Sequence, residues 1–440
     1  MSQRFGLKIR TSEIYAAVHQ IGRNASDRMT RRVVITGMGA VTPYGAGVKT
    51  LWEGLTNGRS AIGPITRFDA TRHRCRIAAE IGNFDPSSVL DKKDFRRMDL
   101  FVQYALMAAQ EAMTDATLVL RNGLSNRTGV IVGTGMGGVP KLVEAYQTLQ
   151  TRGPDYWVPY MLPALIPNMA AGWISMRFDA RGPNLATSTA CAAGLHAIGE
   201  AFRLIQHGEA DIMLAGGSEA LITPVVFYCF DSLRALSIRN ENPKGASRPY
   251  DKERDGFVLG EGAAVLILEE YEHARDRGVP IYAEVCGFGM NADAHHLTAP
   301  SPGGDGAARC MNLALADANL GASDIGYICA HGTSTQLNDA SETQAIKQVF
   351  GEHARSLAVS SIKSMIGHLL GASGAVATIA TVLAMREGLL PPTINYETPD
   401  PACDLDYVPN IPRRVMVHAA LVNAFAFGGT NCVIALKRCA

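Results

Sequence analysis

The stretch Ala186-Thr187-Ser188-Thr189-Ala190-Cys191-Ala192-Ala193-Gly194-Leu195-His196 crowds small residues around one cysteine and runs at once into a helix-compatible segment, Leu195 to Ile205. Cys191 therefore sits where a tight turn becomes the first turn of a helix. Free backbone N–H groups and the positive end of the helix dipole favour a thiolate there. Small neighbours let a bulky acyl group approach the sulfur. The competing reading is a buried structural cysteine, the fate of most free cysteines.

A second stretch has the same layout. Val359 to Gly374 leads into an Ala-rich helix through Met385, as the Cys191 segment leads into its own helix. The flanking segments pair off too. Thr128 to Gly138 and Ile325 to Thr335 are each a strand followed by a glycine turn, and Asp211 to Gly217 and Ala419 to Asn431 are each a strand with a double glycine. A repeated strand, turn, helix and strand order argues for duplicated α/β halves. Equivalent loops of the halves then face one another at a pseudo-twofold axis. That brings Cys191 into reach of His331, His368 and the Gly428-Gly429 turn. The helix Glu270 to Arg277 ends at Gly278, which sets the halves at 30–278 and 279–440. Residues 1–29 form a loosely ordered extension that lacks the apolar core of a secretory signal.

Other segments read locally. Val33 to Gly39 is a buried strand and turn, and a helix covers Thr50 to Leu55. Asp91 opens a helix that continues to Met113, its first turns dense in Lys92, Lys93, Arg96 and Arg97; a solvated face is the ordinary meaning of such a run. Gly133, Gly135 and Gly138 spell GxGxxG, but a dinucleotide site needs a helix opening there and an acid about 20 residues on. Pro140 and the weak pattern after it speak against that, so the glycines are expected to allow backbone crowding near a pocket.

Bulk properties narrow the function classes. A chain of 440 residues with 47% apolar content supports a large core, and 41 basic against 41 acidic residues argues against a nucleic-acid binder. Nine cysteines without regular spacing make neither a disulfide framework nor a zinc motif, and suit the reducing cytosol. No apolar run is long enough for a membrane span.

His331 in Ala-His-Gly-Thr-Ser-Thr and His368 in Lys-x-x-x-x-His both fall at junctions between regular elements and loops, the positions that carry chemistry in α/β folds. One cysteine and two histidines suit acyl transfer followed by formation of a carbanion equivalent. The cysteine takes the acyl group, and the imidazoles hydrogen-bond the oxygen on which enolate charge develops. The rival is zinc, which two histidines and a cysteine can bind, but no fourth ligand or local spacing is recognisable. No metal is expected.

With these motifs in hand, the chain resembles the β-ketoacyl-acyl carrier protein synthases of the thiolase superfamily, and within them the type II elongating enzymes of fatty-acid synthesis. The resemblance runs from about Arg31 to Lys437. It is carried by Ser188-Thr189-Ala190-Cys191-Ala192-Ala193-Gly194, Ala330-His331-Gly332-Thr333-Ser334-Thr335, the run from Ser361 through Lys363 to His368, and Phe425-Ala426-Phe427-Gly428-Gly429-Thr430-Asn431. It implies a five-layer α-β-α-β-α fold and an acyltransferase with ping-pong chemistry. An acyl chain passes from carrier-protein phosphopantetheine to Cys191. Malonyl-carrier protein then loses carbon dioxide, and its enolate attacks the acyl-enzyme to give a 3-oxoacyl product.

The resemblance also implies roles residue by residue. His331 and His368 stabilise the enolate, and Lys363 orders the site through Glu342. Backbone N–H groups of Cys191 and Phe427 form the oxyanion hole. Phe427 is a gate to the acyl pocket, flanked by Phe425 and Ala426, and Met136 lines that pocket. Thr333, Thr335, Gly428 and Gly429 support the site. Ala426 stands where elongating relatives commonly have glycine, so the gate is expected to be restrained. Asp293 to Thr298 resembles a second mobile loop, whose His295 and His296 are not catalytic. Lys92, Lys93, Arg96 and Arg97 would receive the acidic carrier protein. The family implies a homodimer, with no cofactor beyond the phosphopantetheine brought by the carrier.

Three alternatives stay open. A non-catalytic ketosynthase-like subunit would lack the nucleophile that Cys191 supplies. A degradative thiolase would carry a second cysteine motif, which Cys432 does not fit. A specialised ketosynthase of a polyunsaturated-acyl, nodulation-type or polyketide pathway would share this chemistry.

Overall fold

The computed structural model describes residues 31–439 except Ser88, Arg96, Asn122 and Val158, and the side chain of Lys92 also falls outside the description. The N-terminal extension lies outside the described residues, as does Arg96. Residues Arg32 to Ala440 form one compact unit.

The first half runs β1 (Val33–Thr42), α1 (Leu100–Asp115), β2 (Thr128–Gly133), α2 (Met169–Phe178), β3 (Asn184–Leu185), α3 (Ala193–Gln206), β4 (Ile212–Glu219) and β5 (Gly262–Glu270). The second half repeats the order with β6 (Ala283–Ala292), α4 (Asp305–Ala318), β7 (Ile325–Cys329), α5 (Gln336–Phe350), β8 (Ala358–Ser360), α6 (Ser373–Glu387), β9 (Ala419–Ala426) and β10 (Thr430–Lys437). The sheet order is β8-β7-β9-β10-β6-β1-β5-β4-β2-β3, which reads as the same five strands outward from a central seam. At that seam β1 and β6 pair antiparallel, Val33 opposite Val285 and Ile35 opposite Ala283. In each half the innermost pairs are antiparallel and the outer pairs parallel.

Three apolar clusters give the layers. The inward faces of both half-sheets close over α3 and α6, while α1 and α2 cover one outer face and α4 covers the other. Of the 15 residues of α6, 13 are buried. A helix enclosed on every side has no polar stripe to show, which is why this segment reads as a run of Ala, Val, Ile and Thr. The fold is the five-layer α-β-α-β-α arrangement expected.

The strand ends depart from expectation. β1 does not stop at its glycines but continues to Thr42. The glycines are needed because α1 crosses the strand at backbone distance: a Cβ on Gly39 would lie 1.9 Å from the Ala108 carbonyl oxygen. The second half repeats the device, where a Cβ on Gly289 would lie 2.3 Å from the Cys310 carbonyl oxygen of α4. β4 likewise runs through Gly216 and Gly217 to Glu219, whereas Gly428 and Gly429 sit in the hairpin between β9 and β10. The two double glycines are therefore not equivalent. The helix expected from Asp91 to Met113 is interrupted: one turn covers Lys92–Phe95, and Asp99 then caps α1 by accepting the Phe101 amide at 3.2 Å.

Candidate active site

Cys191 lies in a 3₁₀ turn, Ala190–Ala192, that feeds directly into α3. Ala190 takes φ +49°, a strained left-handed conformation for a residue with a Cβ, directly before the cysteine. The sulfur is buried, and burial pushes the thiol up to about 12. The Lys363 charge and the backbone N–H groups of Cys191 and Phe427 pull the other way. Both amides thus lie close to the sulfur, placed to donate to a group carried on it.

His331 follows β7 by two residues, and its peptide is gripped from both sides. Lys363 Nζ donates to its carbonyl oxygen at 2.6 Å, and Glu342 Oε1 accepts from its N–H at 2.8 Å. Glu342 Oε2 takes the Gly332 amide at 2.8 Å and the Tyr250 hydroxyl at 3.1 Å, and Asn423 Nδ2 reaches Oε1 at 3.1 Å. The link expected from Lys363 through Glu342 is therefore made across the His331 peptide, with the two groups on its opposite ends.

His368 is held to the segment Val258–Gly260, its N–H donating to the Val258 carbonyl at 2.7 Å and its carbonyl accepting the Gly260 amide at 2.9 Å. Its Nδ1 faces the Leu370 amide at 3.2 Å and the Ser373 hydroxyl at 2.8 Å. An amide only donates, so Nδ1 is the acceptor and the ring proton resides on Nε2. The two imidazoles lie 5.5 Å apart edge to face. Burial, with the Lys363 charge behind it, holds both well below the usual imidazole range, so both are neutral donors at neutral pH. Burial lowers Lys363 as well. His331 Nδ1 is buried without a hydrogen-bond partner among the described residues.

These groups open onto one largely apolar cavity of about 560 Å³ lined by Cys191, His331, His368, Met136, Thr333 and Phe427 among others. Thr333 and Thr335 bond to each other at 2.9 Å, and Thr335 caps α5 by accepting the Asn338 amide at 3.3 Å. Phe425 lies 6.0 Å from the His331 ring. Ala426 is fully extended at φ −127°, a conformation any residue adopts, so alanine costs nothing in this state. Gly428 takes φ +82° and donates to the Leu297 carbonyl at 2.7 Å, while the Asp293 amide donates to the Gly429 carbonyl at 2.8 Å. The hairpin between β9 and β10 is thereby tied to the segment Asp293–Leu297.

Of the basic run, Lys93 is exposed, and Arg97 stacks over Tyr160 at 4.3 Å with Asp94 beside it at 3.5 Å. The GxGxxG loop does open a helix, Val139–Arg152, and Pro140 is accommodated in its first turn. Its amides are nonetheless spent internally, since Gly135 and Met136 both donate to the Glu219 carboxylate. The sequence reading passed over Glu219, Ser373, Asn423 and Asp339, whose carboxylate accepts the Thr333 amide at 3.0 Å. Glu219 ends a glycine-bearing strand and Ser373 opens α6, but nothing local marks either as a partner of the site. Among the described residues, no group of three or more His, Cys, Asp or Glu is arranged to hold a metal ion.

Comparison with known proteins agrees along the chain. Residues 30–274 match the beta-ketoacyl synthase N-terminal domain and residues 282–397 the C-terminal domain. The chain is 52% identical over 408 residues to the 3-oxoacyl-[acyl-carrier-protein] synthase 2 of Synechocystis, covering 93% of this chain and 98% of that one. It is 50% identical to the Coxiella burnetii protein of the same name, covering 93% and 99%. Among solved structures, a beta-ketoacyl synthase from Burkholderia phymatum superposes with a TM-score of 0.87 at 39% identity, covering 93% and 100%. A type II PKS acyl-carrier protein in complex with its ketosynthase, bound to the hexaketide, gives 0.86 at 38% identity, covering 94% and 100%.

Proposed function

The chain belongs to the beta-ketoacyl synthase family and is a condensing acyltransferase, and from that premise we propose the following course for fatty-acid elongation. The Cys191 sulfur attacks the thioester of an acyl-carrier protein, the carbon–sulfur bond to the carrier breaks, and the thiol proton leaves on the carrier's phosphopantetheine. Malonyl-carrier protein then loses carbon dioxide, and its thioester oxygen takes the resulting charge. The enolate carbon attacks the acyl-Cys191 carbonyl. The amides of Cys191 and Phe427 stabilise the tetrahedral oxyanion, and its collapse expels the Cys191 thiolate and releases a 3-oxoacyl-carrier protein. No resident cofactor is required.

The observation that carries this reading is that two neutral, buried imidazoles open onto the same cavity as the Cys191 sulfur, with the amides of Cys191 and Phe427 beside that sulfur. Neutral donors suit an oxygen that gains charge during decarboxylation. Lys363 and Glu342 act as positioning residues, since each holds a backbone atom of His331. Lys93 and Arg97 fit an acidic carrier protein, and such steering weakens with salt.

A second copy of the chain fits the exposed flank of the first half. Helix Val139–Arg152 buries none of its residues and presents Leu142, Tyr146 and Leu149 to solvent. In the same half, β3 is the last strand of the sheet among the described residues, an edge that a copy can extend. All nine cysteines are free, which suits the cytosol. Among the described residues no helix is long and apolar enough to cross a membrane.

The test offers purified protein a series of acyl-carrier proteins, with acylated Cys191 read by mass spectrometry and extension by malonyl-dependent product. Saturated chains acylating Cys191 and being extended support elongation. Failure of any acyl-carrier protein to label Cys191 overturns the reading, and extension of polyketide-type chains alone moves it to the specialised alternative.

A further inference from the structure

Glu219 ends β4, is completely buried, and takes no part in the reaction course above. Its carboxylate accepts four hydrogen bonds. Oε2 takes the Gly135 amide at 2.6 Å and the Gly371 amide at 3.0 Å; Oε1 takes the Thr134 hydroxyl at 2.9 Å and the Met136 amide at 3.3 Å. Among the described residues no arginine or lysine pairs with it, and burial raises it to about 7 against the pull of these donors. A buried carboxylate costs stability unless every lone pair is used, so a core position like this is better filled by an apolar side chain if packing is all that is required.

The donors come from two places that matter to the reaction. Gly135 and Met136 line the cavity beside Cys191. Gly371 lies in the turn Leu370–Ala372, whose Leu370 amide fixes the tautomer of His368. The first group belongs to the half that carries the nucleophile, the second to the half that carries the histidines. We infer that Glu219 is a positioning residue of the condensing site, whose carboxylate holds the acyl-pocket wall at Gly135–Met136 against the turn that orients His368. This rests on the condensing function proposed above. Pocket wall and histidine are thereby kept in one register across the seam.

The geometry separates two variants. In Glu219→Gln the amide oxygen still serves Gly135 and Gly371, and the Thr134 hydroxyl rotates to accept from the new NH₂, but the Met136 amide loses its acceptor. Glu219→Ala releases both sides. With Glu219→Gln, kcat/KM for long acyl donors should fall about tenfold relative to short ones, while malonyl-carrier decarboxylation stays within about twofold. With Glu219→Ala decarboxylation should fall about tenfold as well. Glu219→Asp should recover part of the second loss. A single common factor lost from short donors, long donors and decarboxylation alike overturns the inference, as does no change. Where the alanine variant does not fold, the glutamine variant decides, because its shape is nearly that of the native side chain. Wild-type protein that fails to acylate Cys191 sinks the functional reading instead, so the two failures are distinct.

Discussion

The turn Ala190–Ala192 and the turn Leu370–Ala372 occupy equivalent places in the two halves, each feeding a helix buried between the half-sheets. Each begins with a residue held at positive φ, Ala190 at +49° and Leu370 at +45°. Position by position, Cys191 matches Gly371 and Ala193 matches Ser373. In the proposed reaction the amide of Cys191 serves the oxyanion, whereas that of Gly371 is committed to the Glu219 carboxylate at 3.0 Å. On the proposed function one strained turn is put to two uses: on one side it presents the nucleophile, and on the other it anchors His368 through the Leu370 amide. Duplication supplies the geometry, and the asymmetry of what fills it supplies the chemistry.

The largest effect that would sharpen this contrast comes from Cys191→Ala, which should lower condensation by at least about 10⁴-fold while malonyl decarboxylation persists, because the histidines remain. Equal loss of both, in a carbon dioxide release assay, breaks the division of labour between the turns. His368→Ala comes next. Decarboxylation should fall about 10²- to 10⁴-fold with Cys191 acylation largely kept. Since burial holds both imidazoles neutral, decarboxylation by the native protein should not decline as pH passes down through about 6.5, the ordinary imidazole value. An acid limb at that value, absent from stability measurements over the same range, would contradict the neutral-donor assignment.

Gly371→Ala tests the other turn. A Cβ there would lie 2.5 Å from the Gly135 nitrogen and 2.8 Å from Glu219 Oε2, so the variant should lose about 1–3 kcal/mol in denaturant unfolding. Unchanged stability would mean that the turn is looser than its Cys191 counterpart. The smallest effect belongs to Ala426→Gly. The native residue rests unstrained, so any restraint applies only when the gate swings, and acylation should change by no more than about fivefold, the scale of the alanine–glycine difference. Rates identical across a chain-length series remove alanine as a restraint on the gate.

The duplicated halves were legible because strand, turn and helix recur in the same order, and Cys191, His331 and His368 because each sits in a motif at an element end. Gly39 misled: in sequence a glycine at the end of a β-branched run marks a turn, and only a helix crossing at backbone distance shows why the strand continues. The interruption before α1 turned on Asp99, a capping residue embedded in a charged run that otherwise reads as continuous helix. Glu219 was hidden for a different reason. Its partners lie 83 to 152 residues away, and no local pattern encodes a meeting of that kind.

The seam between β1 and β6 sets a timetable for making the molecule. β1 is among the first described segments to leave the ribosome, yet both strands that flank it, β5 and β6, lie more than 220 residues downstream. Only Val41 and Thr42 find an early partner, in Ala46 and Gly45; at about 5–20 residues per second the rest of this apolar strand waits roughly 12–50 s for β5 and β6. During that interval Val33–Ala40 is an unpaired edge, open to other nascent chains. Shelter of Val33–Ala40 during synthesis is thus a condition for reaching the finished site at all.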